Sequence, residues 1–386
     1  MKICLVIANF WPGWGGAERQ CQLLARTLTW HGNEVVVLTR GQRGLPAEER
    51  IDGVSVRRTP AFGPGAFRSL VWTLTATAWL RRQGRRFQIA QCYQLLSPSH
   101  VGILAHRPGG HATIMRPACS GPFGDIAEVR RLPLTNIRKR LLRRADAFVT
   151  LTEDIETELV EFGLGGVPFH RIPNGVDAAL FSPVSPGEQA ALRAALGLPT
   201  DRVLCAFVGR LTRQKNPDLL LETWAMGRWP DTHLVLVGDG PLRNRLEARA
   251  ASGSLAGHVT FVGARTDVAE YLRAADLLVL PSRAEGMSNA LLEAMACGIP
   301  VVASDLPANR EVVGRDGRTG WLVAPGDPAA LAGAIERLVK SPSLRREIGA
   351  AARVIVQNQF DIQRVADRYL SLYASLPSSP RHGSCS

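Results

Sequence analysis

A chain of 386 residues, 46% hydrophobic and 21% charged, holds enough apolar material for two globular cores and does not have the composition of a disordered polymer. Its formal charge of +12 points to an anionic partner of one of three kinds: nucleic acid, a membrane surface or a small substrate. The seven cysteines (Cys4, Cys21, Cys92, Cys119, Cys205, Cys297 and Cys385) are odd in number and lack C-x-x-C spacing. This argues against a disulfide scaffold and, with the histidines scattered away from them, against structural zinc, and it suits a reducing cytoplasm.

Taken in chain order, ICLVIANF (3–10) reads as a buried first strand. It leads into WPGWGGAE rather than a small-residue cleavage site, so a signal peptide is not expected. AERQCQLLARTLTWHG (17–32) has helical spacing closed by Gly32, and EVVVLTR (34–40) is the next strand. Basic residues cluster at Arg81-Arg82, at Arg85-Arg86 and from Arg130 to Arg144. The last stretch, RRLPLTNIRKRLLRR, suits a solvated basic helix, a common surface feature, or a helix lying on anionic lipid. ADAFVTLT (145–152) is a strand, and EDIETELVEFG a helix capped by Gly163.

Val184–Thr200, with Pro and Gly at both ends, reads as a linker and the first element of a second domain. Strands follow at 203–210, 233–240, 259–264, 276–282 and 299–305. A last helix, about 361–376, is expected to cross back onto the first domain. No segment has about 18 uninterrupted apolar residues, so no membrane span is expected. Apolar strands alternating with helices predict an α/β protein of two Rossmann-like, doubly wound parallel-sheet domains, 1–184 and 185–360. Ligands of such domains lie at the carboxyl ends of the strands, and a cleft between them is the expected site.

Three segments have the residue types for phosphate and sugar chemistry. Gly13 to Glu18, GWGGAE, joins a strand to a helix and would let an anion approach the backbone; a tight connection without function reads the same. Gly209 to Asn216, GRLTRQKN, puts Arg210 and Lys215 just past a strand, where two cations suit a diphosphate. Glu285 to Pro300, EGMSNALLEAMACGIP, brackets a helix N-terminus with two carboxylates eight residues apart. Its free N–H groups can hold phosphate, Glu293 can accept from ribose hydroxyls and Glu285 would face a sugar; an acidic residue near a helix start is also favourable by itself.

These segments, in order, resemble the retaining glycosyltransferases of family 4, which have the GT-B fold. The resemblance rests on GGAE (15–18), ADAFVTLTEDIETEL with IPNGVDAALFSP (172–183), GRLTRQKNPDLLLETW, LVGDGPLR, and EGMSNALLEAMACGIPVVASD with its E-x7-E pattern. It implies that Arg210 and Lys215 bind the donor diphosphate and stabilise the leaving group. Glu293 would bind the ribose and Glu285 the donor sugar near the reaction centre. The backbone of Gly286, Met287, Ser288 and Asn289 would cradle sugar and phosphate. Gly15 and Gly16 would approach the diphosphate, and Val262, Gly263 and Arg265 would border the nucleobase.

Many relatives carry a histidine in the first domain. Here the region reads HATIMRPACSGPFGDIAE, with Arg116 or Ser120 where it is expected and His111 before the strand. Arg116, Ser120 and Asp125 are the candidates for acceptor contact, Asp125 equally for a helix cap.

The chemistry implied is transfer of a hexose or N-acetylhexosamine, most simply from a UDP-sugar, to an acceptor hydroxyl. The acceptor would be a glycan, a lipid-linked precursor or a small molecule of aminoglycoside type. No D-x-D occurs, so no metal or other cofactor is expected. A nucleic-acid partner is not expected; a cytoplasmic protein touching the inner membrane face is. A Rossmann oxidoreductase needs a G-x-G-x-x-G that residues 13–18 lack. A non-catalytic binding protein would not need Arg210, Lys215, Glu285 and Glu293 together. A sugar phosphorylase or nucleotide-sugar epimerase of the same fold stays open.

Overall fold

The structure, a computed structural model, describes residues 1–12, 15–83, 86–106, 110–227 and 229–376. The chain forms two compact units, residues 1–175 with 362 onward, and residues 176–361.

The first unit contains β1 (Lys2–Val6), α1 (Gly16–Trp30), β2 (Glu34–Arg40), β3 (Glu48–Ile51), β4 (Val54–Thr59), α2 (Gly65–Arg82), β5 (Ile89–Tyr93) and α3 (Ser97–Ala105). It continues through β6 (Ala112–Arg116), α4 (Asp125–Arg131), α5 (Thr135–Leu142), β7 (Ala147–Thr150), α6 (Glu153–Leu159) and β8 (Phe169–Arg171). The second contains α7 (Pro186–Ala195), β9 (Val203–Val208), α8 (Pro217–Met226), β10 (Thr232–Val237), α9 (Arg243–Ala250), β11 (Val259–Gly263), α10 (Val268–Ala274) and β12 (Leu277–Leu280). After these come α11 (Asn289–Ala296), β13 (Val301–Ser304), α12 (Pro307–Val313), β14 (Trp321–Val323), α13 (Pro328–Lys340) and α14 (Pro342–Ile355). The chain then returns to the first unit as α15 (Ile362–Ser375).

The first sheet runs β3-β4-β2-β1-β5-β6-β7-β8, parallel except for the β3–β4 pair. The second runs β11-β10-β9-β12-β13-β14 and is parallel throughout. Strands covered on both faces must be apolar on both, so the central strands β1, β2, β9, β10, β12 and β13 are largely hydrophobic runs. In the first unit Ile3, Leu5 and Ile7 alternate toward α1, which offers Cys21, Leu24, Ala25 and Leu28 at helical spacing. α15 packs on the same core through Ile362, Val365, Ala366, Tyr369, Leu372 and Tyr373, and its Tyr373 hydroxyl donates to Gln91 Oε1 at 2.7 Å.

Two expectations need correction. The boundary lies at 175/176, not 184/185, because residues 176–184 pack on the second unit. Val176 N donates to Phe360 O at 2.8 Å, and Arg353 Nη1 donates to Phe181 O at 3.3 Å. The linker segment also holds a helix, α7, started by a capping box between Ser185 and Glu188. The basic stretch 130–144 is not one helix: α4 stops at Arg131 and α5 starts at Thr135. Pro133 disfavours helical backbone before it, and Leu134 sits at φ 64, outside the right-handed region.

Gly349 in α14 and Gly333 in α13 make a matched pair. A Cβ on Gly349 would overlap the Gly298 carbonyl, fixed backbone that cannot move aside, whereas one on Gly333 meets nothing within 4 Å. Gly349→Ala is expected to lower the unfolding free energy by about 3 kcal/mol. Gly333→Ala should raise it by up to about 1 kcal/mol. Urea unfolding of both variants checks the opposite signs.

Candidate functional site

The strand order of the second unit reverses at β9, which lies between β10 and β12. At such a switch point the connections leave toward opposite faces, and a crevice opens beyond the carboxyl ends of the two central strands. The segments leaving those ends are 209–216 after β9 and 281–288 after β12. They carry Arg210 and Lys215 on one side and Glu285, Gly286, Met287 and Ser288 on the other.

The two segments are bonded to each other. Arg283 N donates to Gln214 O at 2.8 Å, and Gln214 Nε2 donates to Ala284 O at 3.1 Å. Arg283 Nη2 reaches Asn216 Oδ1 at 3.4 Å, and Asn216 holds the left-handed turn (φ 53) from which α8 starts. At the centre Lys215 Nζ donates to Glu285 Oε1 at 2.5 Å, with side chains only 19% and 6% exposed. The lysine stem lies over Gly209, where a Cβ would stand 3.6 Å from its Cδ and Cε. The Arg210 side chain, by contrast, is exposed and has no hydrogen-bond or ion-pair partner among the described residues.

Beyond Glu285 the chain enters α11. Its first turn holds no acidic residue, and Ser288 at the N-cap makes no side-chain capping bond. The hydroxyls of Ser282 and Ser288 are buried without a hydrogen-bond partner among the described residues. Two buried hydroxyls thus stand on the segment that leads into the positive end of the helix, a pairing suited to a ligand's oxygens. Glu293, buried on the second turn, is close enough to Cys297 to add to the burial that pushes the Cys297 thiol up to about 12. That cysteine is therefore an inert thiol.

A third wall comes from β10 and β11. Gly209 N donates to Val237 O at 3.0 Å, Leu211 N to Asp239 O at 2.9 Å and Gly238 N to Gly263 O at 2.8 Å. Such close backbone approach requires glycine: at Gly238 (φ 146) a Cβ would overlap the Gly209 carbonyl, and at Gly240 it would lie 2.5 Å from Leu211 O. Val262 and Gly263 end β11 on this rim. Arg243, not singled out from the sequence, lies beside Gly263 and is tied to Asp239 at 2.9 Å and Glu247 at 2.8 Å. Arg265 is occupied by Asp267 at 2.6 Å.

The candidates of the first unit are placed differently. Gly15 is the N-cap of α1 and Gly16 its first residue; Gly13 and Trp14 lie outside the described residues. The Glu18 carboxylate folds over Gly15, so a Cβ there would have to displace that side chain. Arg116, at the end of β6, is buried. Its guanidinium donates to the Tyr369 hydroxyl at 3.0 Å and to Asn174 Oδ1, and lies 5.0 Å from the Tyr93 ring centroid. These partners use it to join β6 to α15, so the reading as an acceptor contact is withdrawn. Asp125 is buried too. It accepts from Leu95 N at 2.8 Å, Ala118 N at 2.7 Å and Cys119 N at 3.2 Å, so it shapes the loop before it instead of capping a helix or meeting an acceptor. Ser120, partly exposed, donates to Asp154.

Comparison with known proteins bears on what the site does. The family described as "Glycosyltransferase Family 4" matches residues 14–180, and "Glycosyl transferases group 1" matches residues 188–354. A D-inositol 3-phosphate glycosyltransferase of Acidothermus cellulolyticus is 33% identical over 377 residues, 88% of this chain and 82% of the relative. One of Catenulispora acidiphila is 30% identical over 94% of this chain and 91% of the relative. Among solved structures, sucrose-phosphate synthase from Thermosynechococcus elongatus superposes with a TM-score of 0.82 at 26% identity, over 97% of this chain and 98% of that one. Anabaena HepE in complex with UDP-glucose gives 0.79 at 22% identity, over 97% and 100%, a likeness of fold alone. The two parallel-sheet α/β units are those of the GT-B fold.

The Lys215–Glu285 contact is testable without any ligand. Lys215→Met strands a buried carboxylate and is expected to cost about 3 kcal/mol of unfolding free energy. Lys215→Met with Glu285→Met should recover most of that loss. A urea double-mutant cycle with a coupling under about 0.5 kcal/mol would show that the pair adds nothing to the second unit's stability.

Proposed function

From the premise that the chain belongs to the group 1, family 4 glycosyltransferases and is a transferase enzyme, we propose that it moves a hexosyl or N-acetylhexosaminyl group from a UDP-sugar to an acceptor hydroxyl, with retention at the anomeric carbon. The observation that carries this reading is the switch-point crevice, where Lys215 is held on Glu285 beside the uncapped, acid-free start of α11.

In this reading the bond from the anomeric carbon to the diphosphate breaks as the acceptor oxygen attacks from the same face, and the hydroxyl proton passes to the departing phosphate oxygen. Arg210, exposed and without a side-chain partner among the described residues, and Lys215, held on Glu285, balance the charge that grows on the diphosphate. The N–H groups around Met287, Ser288 and Asn289 add the helix's partial positive charge. Two cations and a helix N-terminus are a sufficient counter-charge, so no metal is invoked. Glu285 accepts from donor-sugar hydroxyls while steadying Lys215, and Gly286 lets the sugar come close to the backbone. Glu293 accepts from the ribose, and Val262 with Gly263 borders the base. The acceptor is a glycan, a lipid-linked precursor or a small hydroxylated molecule.

Thermal unfolding with UDP, UDP-glucose, UDP-N-acetylglucosamine and GDP-mannose tests the donor. A nucleotide at 100 times its dissociation constant stabilises by about 2.7 kcal/mol, and Glu293→Ala is expected to diminish that gain for uridine ligands. With UDP-glucose turnover read as released UDP, Arg210→Ala is expected to reduce kcat by about a hundredfold with little effect on stability. Stabilisation by GDP-mannose alone would overturn the uridine reading, and an unchanged kcat would remove Arg210 from the chemistry.

A further inference from the structure

The distribution of charge is more telling than its total. Between Asp52 and Asp125 there is no acidic residue, while nine arginines occur. With the next twenty residues included, the stretch 53–144 has sixteen basic and two acidic residues, a charge of +14 against +12 for the whole chain. All of the protein's excess positive charge thus arises in one quarter of its sequence, within the first unit, whereas Arg210 and Lys215 belong to the second.

The helices of this stretch share one face of the first sheet. α3 packs where a Cβ on Gly102 would meet Cys92 Sγ, on the face opposite the α1–α15 core. α2 lies on the same side: its Trp72 ring is 5.2 Å from the Arg40 guanidinium, and it packs on α3. α5 flanks α3, with Arg138 Nη1 3.4 Å from His100 Nε2.

The outer surface of this layer has the wrong polarity for water. On α2 the inward side carries Trp72, Thr73, Ala76, Thr77 and Leu80, while Phe67, Leu70 and Leu74 face outward at helical spacing, each more than half exposed. Phe62, just before the helix, is exposed as well and packs edge-on against Phe67 at 6.3 Å. Exposed Arg81 and Arg82 close the stripe. Across α3, Leu134 and Ile137 are more than half exposed beside exposed Arg131, Arg140, Arg143 and Arg144. A contiguous row of exposed Phe and Leu marks an interaction surface.

We propose that this face, α2 together with α5, docks on an anionic lipid bilayer. Phe62, Phe67, Leu70 and Leu74 would enter the acyl boundary, and the arginines would meet lipid phosphates. The occupant follows from charge complementarity. Exposed Phe and Leu side chains flanked by exposed arginines, with no acid between Asp52 and Asp125, match phosphate headgroups above hydrocarbon, whereas a second copy would set one basic face against another. The inference requires no donor or acceptor, so it stands or fails apart from the reaction.

Flotation of the full chain with vesicles tests it, using phosphatidylcholine alone and phosphatidylcholine mixed with phosphatidylglycerol. The wild type is expected to float with the mixed vesicles, less so at high salt, and to stay behind with the neutral ones. Phe67→Ser/Leu70→Ser/Leu74→Ser, changes at exposed positions, is expected to lower partition by about a hundredfold while circular dichroism stays unchanged. Arg140→Gln/Arg143→Gln/Arg144→Gln should weaken binding to the mixed vesicles by about tenfold or more. Wild-type protein that stays in solution with both vesicles overturns the proposal, as does a triple serine variant that floats like wild type. A wild-type dimer in sedimentation equilibrium that the serine variant abolishes would reassign the face to self-association.

Discussion

The bonding between two loops at the carboxyl edge of the second sheet is the constraint on which the rest of the candidate site depends. Segments 209–216 and 281–288 leave neighbouring strands and would otherwise be independent surface loops. Hydrogen bonds from Arg283 N to Gln214 O and from the Gln214 side chain to Ala284 O, and the ion pair between Lys215 and Glu285, make them one object. A charged pair this little exposed survives only with good geometry, because each ion loses most of its hydration. The glycines at 238 and 240 complete the assembly by letting the β10 loop lie against Gly209 and Leu211 without side chains between. What results is a rim with one paired cation, one cation at Arg210 whose side chain has no partner among the described residues, and a helix start with no acid in its first turn. Such a rim answers the electrostatic demand of a departing diphosphate, since dipoles already in place need no reorganisation as charge develops.

The first unit uses its polar groups differently. Arg116 and Asp125 resemble site residues in being charged, at strand and loop ends, in the half of the chain expected to meet an acceptor. Both are consumed internally: Arg116 by Asn174, Tyr369 and Tyr93, Asp125 by three backbone N–H groups. A buried charge needs this many partners merely to be tolerated, and a complete set of protein partners separates a structural charge from one set aside for a ligand. The same contrast distinguishes Arg265, spent on Asp267, from Arg210. Of the positive charge that composition advertises, little belongs to the switch-point crevice. Six basic residues lie on α2 and α5 (Arg68, Arg81, Arg82, Arg138, Lys139 and Arg140), where exposed apolar side chains accompany them.

The unequal legibility of the elements has a physical cause. Strands β9, β10, β12 and β13 are plain in the sequence because burial on both faces forces continuous apolar runs. α1 is plain because one face is buried and the other wet. α2 shows no such contrast: Phe67, Leu70 and Leu74 on its outer side are as apolar as Trp72, Ala76 and Leu80 on its inner side, so hydrophobic periodicity carries no signal there. The stretch 130–144 looked continuous because its basic residues suit a helix throughout, yet a single proline and a left-handed Leu134 divide it. The unit boundary was displaced by nine residues because Pro183 and the Pro and Gly near both ends of 184–200 look like an end, while the segment before them already packs on the second unit.

The amino-acid sequence by itself determined the fold class, the alternation of strand and helix, the positions of Arg210, Lys215, Glu285 and Glu293, and their family resemblance, because these follow from local pattern and from motifs in fixed order. It carried no information on which charges would meet. Lys215 and Glu285 are 70 residues apart, Arg116 and Tyr369 are 253 apart, and only the parallel sheets, with their crossovers, bring such positions to one edge. Tertiary structure therefore decided that two motifs form one site, that Arg116 and Asp125 hold the first unit together, and that an apolar helix face stays exposed among the arginines. Composition and spacing are properties of the chain, whereas burial and partnership arise only when distant segments share a boundary with water.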